Sequence, residues 1–219
     1  MKESITAEGQ VLFVDKPLRW ISFDVVKKLK YTLNIKKIGH AGTLDPLATG
    51  LLILCTGKKT KAIEGYQNMG KEYEGTLVLG QTTPSYDLET EPSAAVDISF
   101  ITEDDIQQIA TTFIGNIEQT PPIYSAVKVD GKRAYEHARK GDKIKLKSRI
   151  VHISAFEILA VNLPEVKFRI ACSKGTYVRT IVHDFGQKLG VGAYMSQLRR
   201  TKIGTYSVVD AQTIEELSA

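Results

Sequence analysis

Apolar and polar positions along the chain fall into two periods, one near two residues and one near three and a half. Val11-Leu12-Phe13-Val14 is a short apolar run closed by Asp15-Lys16-Pro17, the pattern of a buried strand. Ser22 is placed to cap a helix whose apolar positions are Val25, Val26, Leu29 and Leu33. A glycine-rich turn, Gly39 to Gly50, precedes the aliphatic run Leu51 to Cys55. Tyr73 to Leu79, with Thr76 and Val78, predicts a strand, and the polar stretch 80–100, with Pro84 and Pro92, predicts a loop. Thr102 opens a helix with acids at 103–105 in its first turn and Ile106, Ile109, Ala110 and Phe113 on one face.

Pro121-Pro122 breaks the chain, and Ala134 to Lys140 predicts a short helix stopped by Gly141. Val151 to Val161 and Val166 to Cys172 predict strands. In the second, Val166, Phe168, Ile170 and Cys172 alternate with Lys167, Arg169 and Ala171, giving one buried face. The clearest helix is Thr176 to Leu189, where Val178, Ile181, Val182, Phe185 and Leu189 keep the helical spacing and Gly190 ends it. Strands and helices alternate irregularly, so the expected class is α+β, a mixed, largely antiparallel sheet flanked by helices. No domain boundary is evident in residues 1–219.

Composition narrows this picture. A chain of 219 residues, 42% hydrophobic and 25% charged, has room for a sizeable core, and it is neither a disordered tail, a fibrous repeat nor a disulfide-stapled miniprotein. The net charge of +4 permits an anionic partner without requiring one. Cys55 and Cys172 are too few for a zinc site alone and form no CxxC pair, so both read as reduced core residues of a cytoplasmic protein. No leader pattern opens the chain, and the run 51–55 is far too short to cross a bilayer.

Several chemistries find no motif. Gly57-Lys58-Lys59-Thr60 looks like part of a phosphate loop but fails the Walker pattern, because Gly50 lies at the wrong distance and Lys59 stands at the Ser/Thr position. His40, His137, His152 and His183 show no metal-ligand spacing, and no nucleophile elbow occurs. Neither a metal nor a cofactor is expected.

Four segments remain. In Gly39-His40-Ala41-Gly42-Thr43-Leu44-Asp45-Pro46-Leu47-Ala48-Thr49-Gly50 the glycines permit tight turning and close approach of another molecule, and Pro46 holds Asp45 extended. A carboxylate fixed in this way suits a nucleophile; an Asx-type turn with Asp45 capping a following helix is the plainer alternative. In Ser173-Lys174-Gly175-Thr176-Tyr177-Val178-Arg179, Tyr177 and Arg179 fall in the first turn of the strongest helix. A cation is disfavoured at that positive end, so Arg179 points to an anionic partner, carboxylate or phosphate, unless it is an ordinary surface arginine. Lys71-Glu72-Tyr73-Glu74-Gly75 places a tyrosine at a strand start, a position that more often serves packing. The fourth segment is basic, with Arg139, Lys140, Lys143, Lys145, Lys147 and Arg149 close together. If Lys143-Ile144-Lys145-Leu146-Lys147 is a strand, three ammonium groups share a face and suit a phosphate backbone, or they guard a solvated edge. Arg199, Arg200 and Lys202 form a second, weaker basic cluster.

Together these segments resemble the TruB family of tRNA pseudouridine synthases over nearly the whole chain, in order. Asp15-Lys16-Pro17 is similar to the family's first motif, the segment from Gly39 to Gly50 to its catalytic motif, Lys71-Glu72-Tyr73 to its tyrosine motif, Ser173 to Arg179 to the motif bearing tyrosine and arginine, and Gln197-Leu198-Arg199-Arg200 to the late Leu-Arg-Arg motif. Residues from Gln119 to Arg149, including Tyr124-Ser125-Ala126, resemble the insertion that grips the tRNA T-arm. Only about twenty residues follow Arg200, too few for the C-terminal PUA domain that many members carry, so the expectation is one catalytic domain without it.

The resemblance implies a pseudouridine synthase fold with a catalytic cleft, and a cofactor-independent isomerase that turns uridine-55 of the tRNA T-loop into pseudouridine. It implies that Asp45 is the essential carboxylate, attacking C1′ or assisting a glycal route, ionised and aimed by Arg179. Tyr177 would act as a base or stacking partner, and Tyr73 would pack against the flipped uracil. His40 would take the base's former place or contact the loop, Leu198 would line the base pocket, and Lys16, Lys143, Lys145 and Lys147 would contact the RNA. The implied partner is the T-arm stem-loop, with no membrane and no obligate protein partner. A non-catalytic RNA-binding module and a nucleoside hydrolase-like enzyme are the rival classes.

Overall fold

The structure, a computed structural model, describes residues 8–129, 131–142 and 144–219, and of Arg139 the backbone alone. The chain divides into two compact units, one taking the chain to Glu74 and again from Gln197 onward, the other running from Gly75 to Ser196.

In the first unit β1 (Val11–Lys16) is followed by α1 (Ser22–Thr32), β2 (Ile38–His40), β3 (Ala48–Thr56) and the short α2 (Ile63–Asn68). β1 runs antiparallel to β3 from Val11↔Cys55 to Lys16↔Gly50, and β2 pairs with the other edge of β3, His40 opposite Leu54. The aliphatic run Leu51 to Cys55 is a strand covered on both faces, which explains why it does not alternate. Leu52 and Leu54 pack with Val14 against Val25, Val26 and Leu29 of α1, while Leu51, Ile53 and Cys55 pack with Ala41 and Ile203.

The chain passes between the units along β4 (Lys71–Leu79) and returns along a later strand, β10, described below. In the second unit come α3 (Glu103–Thr111), β5 (Gly115–Gln119), the paired β6 (Lys128–Val129) and β7 (Lys132–Arg133), α4 (Ala134–Lys140), β8 (Arg149–Asn162), β9 (Glu165–Cys172) and α5 (Val178–Leu189). β10 (Ala193–Ile203) starts here and ends in the first unit, where β11 (Tyr206–Ser207) and α6 (Ile214–Ser218) complete the chain. β4, β9, β8 and β5 are neighbours in that order, with β8 antiparallel to both β9 and β5. In the first unit β10 runs parallel to β3, Leu198↔Ala48 through Arg200↔Gly50, so the sheet is mixed and largely antiparallel as expected. The second core is aromatic: Phe156 meets Phe113, Phe168 and Phe185 at ring separations of 5.9, 5.6 and 5.8 Å.

Most elements match their sequence periods, and Thr102, Gly141 and Gly190 terminate helices as expected. Three expectations need correction. Ser22 does not cap α1: Ile21 holds the cap position, its N–H donating to Asp24 Oδ2 at 3.3 Å, and the Ser22 hydroxyl is used elsewhere. Tyr177 is the residue before α5 rather than part of its first turn. Residues 144–148 belong to no strand, although Lys145 and Lys147 are exposed and Ile144 and Leu146 half-buried; Lys143 lies outside the described residues.

Gly186 on α5 is buried where a Cβ would lie 2.1 Å from the Ala193 backbone nitrogen. Glycine to alanine inside a helix ordinarily gains up to about 1 kcal/mol. Here Gly186→Ala is expected to lose roughly 1–3 kcal/mol by overpacking, read as a fall in the urea midpoint.

Candidate active site

The segment carrying Asp45 links β2 to β3, with no helix after it. Ala48 N–H closes a turn onto Asp45 O at 3.1 Å, so the chain reverses over Pro46 and Leu47. On one side of Asp45, Ser22 Oγ, 1% exposed, accepts from Leu44 N–H at 2.8 Å and donates to Leu44 O at 3.2 Å. On the other, Arg19, at φ +66°, donates its backbone N–H to Pro46 O at 2.8 Å. Arg200 is 1% exposed and spans the loop, Nε donating to Leu51 O at 2.8 Å and Nη2 to Gly42 O at 3.1 Å. Gly50, at φ +100°, lets β10 approach, since a Cβ there would sit 2.3 Å from Arg200 O. Backbone tethers therefore fix the chain immediately before and after the half-buried Asp45.

Charge around this loop is unusual. Lys16, expected at the substrate, is fully buried with its ammonium donating to Pro17 O at 2.9 Å and Trp20 O at 2.6 Å. Burial lowers its pKa to about 8; the Asp45 carboxylate opposes that fall and the Arg200 guanidinium adds to it. His40 on β2 is half-buried, and burial, followed by Arg200, lowers its pKa against an opposing bond with the Gly42 backbone, so the imidazole is neutral at pH 7. Tyr73 on β4 and Leu198 on β10 are both buried, Leu198 opposite Ala48. The second basic cluster is not a free patch. Arg199 holds Asp15 at 2.6 and 3.0 Å, Arg200 is interior, and Lys202 pairs with Glu72 at 3.1 Å.

In the second unit the loop between β9 and α5 turns at Gly175, φ +79°. Gln119, 1% exposed at the end of β5, grips the backbone of Tyr177: Tyr177 N–H donates to Gln119 Oε1 at 2.8 Å, and Gln119 Nε2 donates to Tyr177 O at 3.1 Å. The Arg149 guanidinium lies 5.0 Å from the centre of the Tyr177 ring and also donates to Gly175 O. Arg179, 4% exposed, reaches Asp87 Oδ2 and Ser85 O, each at 3.4 Å. The carboxylate this places beside Arg179 is Asp87, a residue that the sequence did not single out. One turn further along α5, His183 stacks on Tyr86 at 3.9 Å and 15°, with Tyr86 itself at φ +67°. Burial lowers the pKa of His183 and raises that of Tyr86, leaving both rings neutral at pH 7.

Sequence reasoning missed Ser22 as a tether, Gln119 and Asp87. Asp87 sits in a polar loop with no periodicity, and the one signal for it was an arginine at the wrong end of a helix dipole. Lys145 and Lys147 are exposed as expected. Among the described residues no group of three or more His, Cys, Asp or Glu side chains could hold a metal ion.

Residues 30–178 match the family described as TruB family pseudouridylate synthase (N terminal domain), and residues 179–219 match the tRNA pseudouridylate synthase B C-terminal domain. The chain belongs to the TruB family. It is 54% identical over 211 residues to tRNA pseudouridine synthase B of Flavobacterium johnsoniae, covering 93% of this chain and 92% of that protein. The protein of the same name from Phocaeicola vulgatus is 51% identical over 214 residues, covering 95% and 91%. Among solved structures, a chain of a Cbf5-Nop10-Gar1 complex is similar with a TM-score of 0.75 at 33% identity over 95% of this chain. A chain of an H/ACA RNP bound to a substrate RNA containing 2'-deoxyuridine gives a TM-score of 0.73 at 29% identity over 97%. This chain spans about half, 53%, of each of those two solved chains.

Two outcomes follow from the geometry. Ser22→Ala leaves two backbone groups of Leu44 without their partner and is expected to cost roughly 1–3 kcal/mol, measured by denaturant unfolding. Lys16 binds its proton less tightly folded, at about 8, than at its ordinary 10.5, so the unfolded chain holds more protons between those values. The stability of the native protein relative to Lys16→Met is therefore expected to rise as pH increases from about 8 to 10.5, read from paired unfolding curves.

Proposed function

We propose that the protein is a tRNA pseudouridine synthase that converts uridine-55 in the T-loop to pseudouridine, with Asp45 as nucleophile. One observation carries the reading: the backbone is tethered on both sides of Asp45, at Leu44 and at Pro46, so the carboxylate is aimed before substrate arrives. The family and the tRNA pseudouridine synthase B relatives support the substrate class.

In this reading the uridine is extruded from its stack, and the Asp45 carboxylate attacks C1′ as the N1–C1′ bond breaks. The freed uracil turns in place. Its C5 then bonds to C1′, the carboxylate leaves, C5 gives up its proton and N1 takes one up. Composition and redox state are unchanged. Water in the cleft would divert the sugar to hydrolysis, so the site works by excluding it.

Tyr177 serves as base or stacking partner and Arg179 as the catalytic cation, Tyr73 packs on the flipped base, Leu198 lines its pocket and His40 fills the space the base leaves. Lys145 and Lys147, with Lys143, track phosphates of the T-arm. Lys16, being buried, contributes its charge beneath the loop. Residues 1–219 act as one catalytic domain, and two buried cysteines outside any disulfide, Cys55 and Cys172, fit a cytoplasmic setting.

Tritium release from a T-arm stem-loop carrying 5-tritiated uridine tests this. The native enzyme is expected to release tritium and form pseudouridine, and Asp45→Asn to lose more than about 10³-fold in rate while still binding RNA. Substantial turnover by the variant overturns the role of Asp45. Free uracil in place of pseudouridine, or RNA binding with no release at all, overturns the reaction.

A further inference from the structure

The motif Gly57-Lys58-Lys59-Thr60, which fits no nucleotide-binding pattern, has no part in the chemistry above. It forms the start of a 3-10 turn, Gly57–Ala62, directly after β3. Gly57 N–H donates to Lys37 O at 2.9 Å, which holds this turn beside the Lys36-Lys37 segment leading into β2. Thr60 Oγ1 closes the turn onto Gly57 O at 2.9 Å. Lys36, Lys37, Lys58, Lys59 and Lys61 are all exposed, and on a 3-10 turn Lys58 and Lys61 lie on one side. Against these charges Glu8 pairs with Lys58 at the surface, and Glu64 follows in α2.

We infer that this lysine group is a second contact surface for the phosphate backbone of the RNA substrate, on the same unit as Asp45. The inference rests on the proposed RNA substrate and adds to it the face along which the strand leaves the site. Lys37 directly precedes β2, so it lies three residues from His40, roughly 10 Å along the strand at about 3.3 Å per residue. An RNA strand whose target base is at His40 therefore meets these ammonium groups within a few nucleotides. The chemistry favours RNA over protein: protein interfaces are depleted in lysine at their centres, whereas flexible point charges suit phosphates spaced along a chain.

The test is the salt dependence of binding of a full tRNA transcript by the whole protein, comparing the native chain with Lys36→Glu/Lys37→Glu/Lys58→Glu/Lys59→Glu. At 0.1 M salt the variant is expected to bind at least about tenfold more weakly. Its slope of log affinity against log salt should be shallower by about 3, four contacts at roughly 0.7 each. A matched pair of reversals on α1, Lys27→Glu/Lys28→Glu, should change affinity less than about twofold. An unchanged slope in the quadruple variant, with a native melting curve, overturns the surface, and so does an equal loss on a per-charge basis in the α1 pair. If the quadruple variant melts early, Lys→Gln at the same four positions replaces it, with the same two criteria. Pseudouridine formation by the native chain is scored separately, so failure of the reaction and failure of the surface give different results.

Discussion

One buried guanidinium organises the first unit. Arg200 leaves β10 and donates to the carbonyl of Gly42, early in the loop that carries Asp45, and to that of Leu51, within the β3 strand that follows it. A charged side chain is costly to bury, and it is held here by hydrogen bonds that do not depend on loop side chains. The register that pairs Arg200 with Gly50 makes this possible, because any larger residue at that position would push β10 away from β3. Burial is the main cause that lowers the proton affinity of both Lys16 and His40, and the positive potential of Arg200 adds to it at each, so the group that shapes the loop also acts on the charge beneath it.

The two units solve one problem by the same device. In each, a neutral, buried side chain with one donor and one acceptor engages the N–H and the C=O of a single backbone residue. Ser22 does this to Leu44, and Gln119 does it to Tyr177. A neutral pair of bonds avoids the desolvation cost of an ion pair and does not vary with pH. Asp87 and Arg179 meet differently, through a loop that is bonded to α5 at Ser85 and stacked on it at Tyr86.

Much of the fold was legible because it follows periodicity, although spacing marked neither β5 nor β10. Val166, Phe168, Ile170 and Cys172 alternate on β9, and the apolar positions of α5 lie three and four apart, so both elements are apparent from spacing alone. The fixed placement of Asp45 was legible as well, from the glycines and proline around it. What escaped were residues whose role is set by distant backbone. Ser22 reads locally as a helix cap, yet its hydroxyl is bound to a residue twenty-two positions away. Gln119 has no sequence signal, since its partner lies fifty-eight positions on. Arg199, Arg200 and Lys202 read as a basic cluster because charge is visible in a sequence, whereas the burial of Arg200 and the ion pairs of Arg199 with Asp15 and of Lys202 with Glu72 are not.

Because Arg200, Ser22 and Arg19 all take hold of main-chain atoms, the path of the segment from Gly42 to Leu51 is anchored independently of the side chains it carries. The side chains of exposed Thr43 and half-buried Leu47 are not among those anchoring bonds, so what they meet is separable from what holds the loop. Gly50 has no such latitude, because any side chain there collides with the strand that carries the anchoring guanidinium.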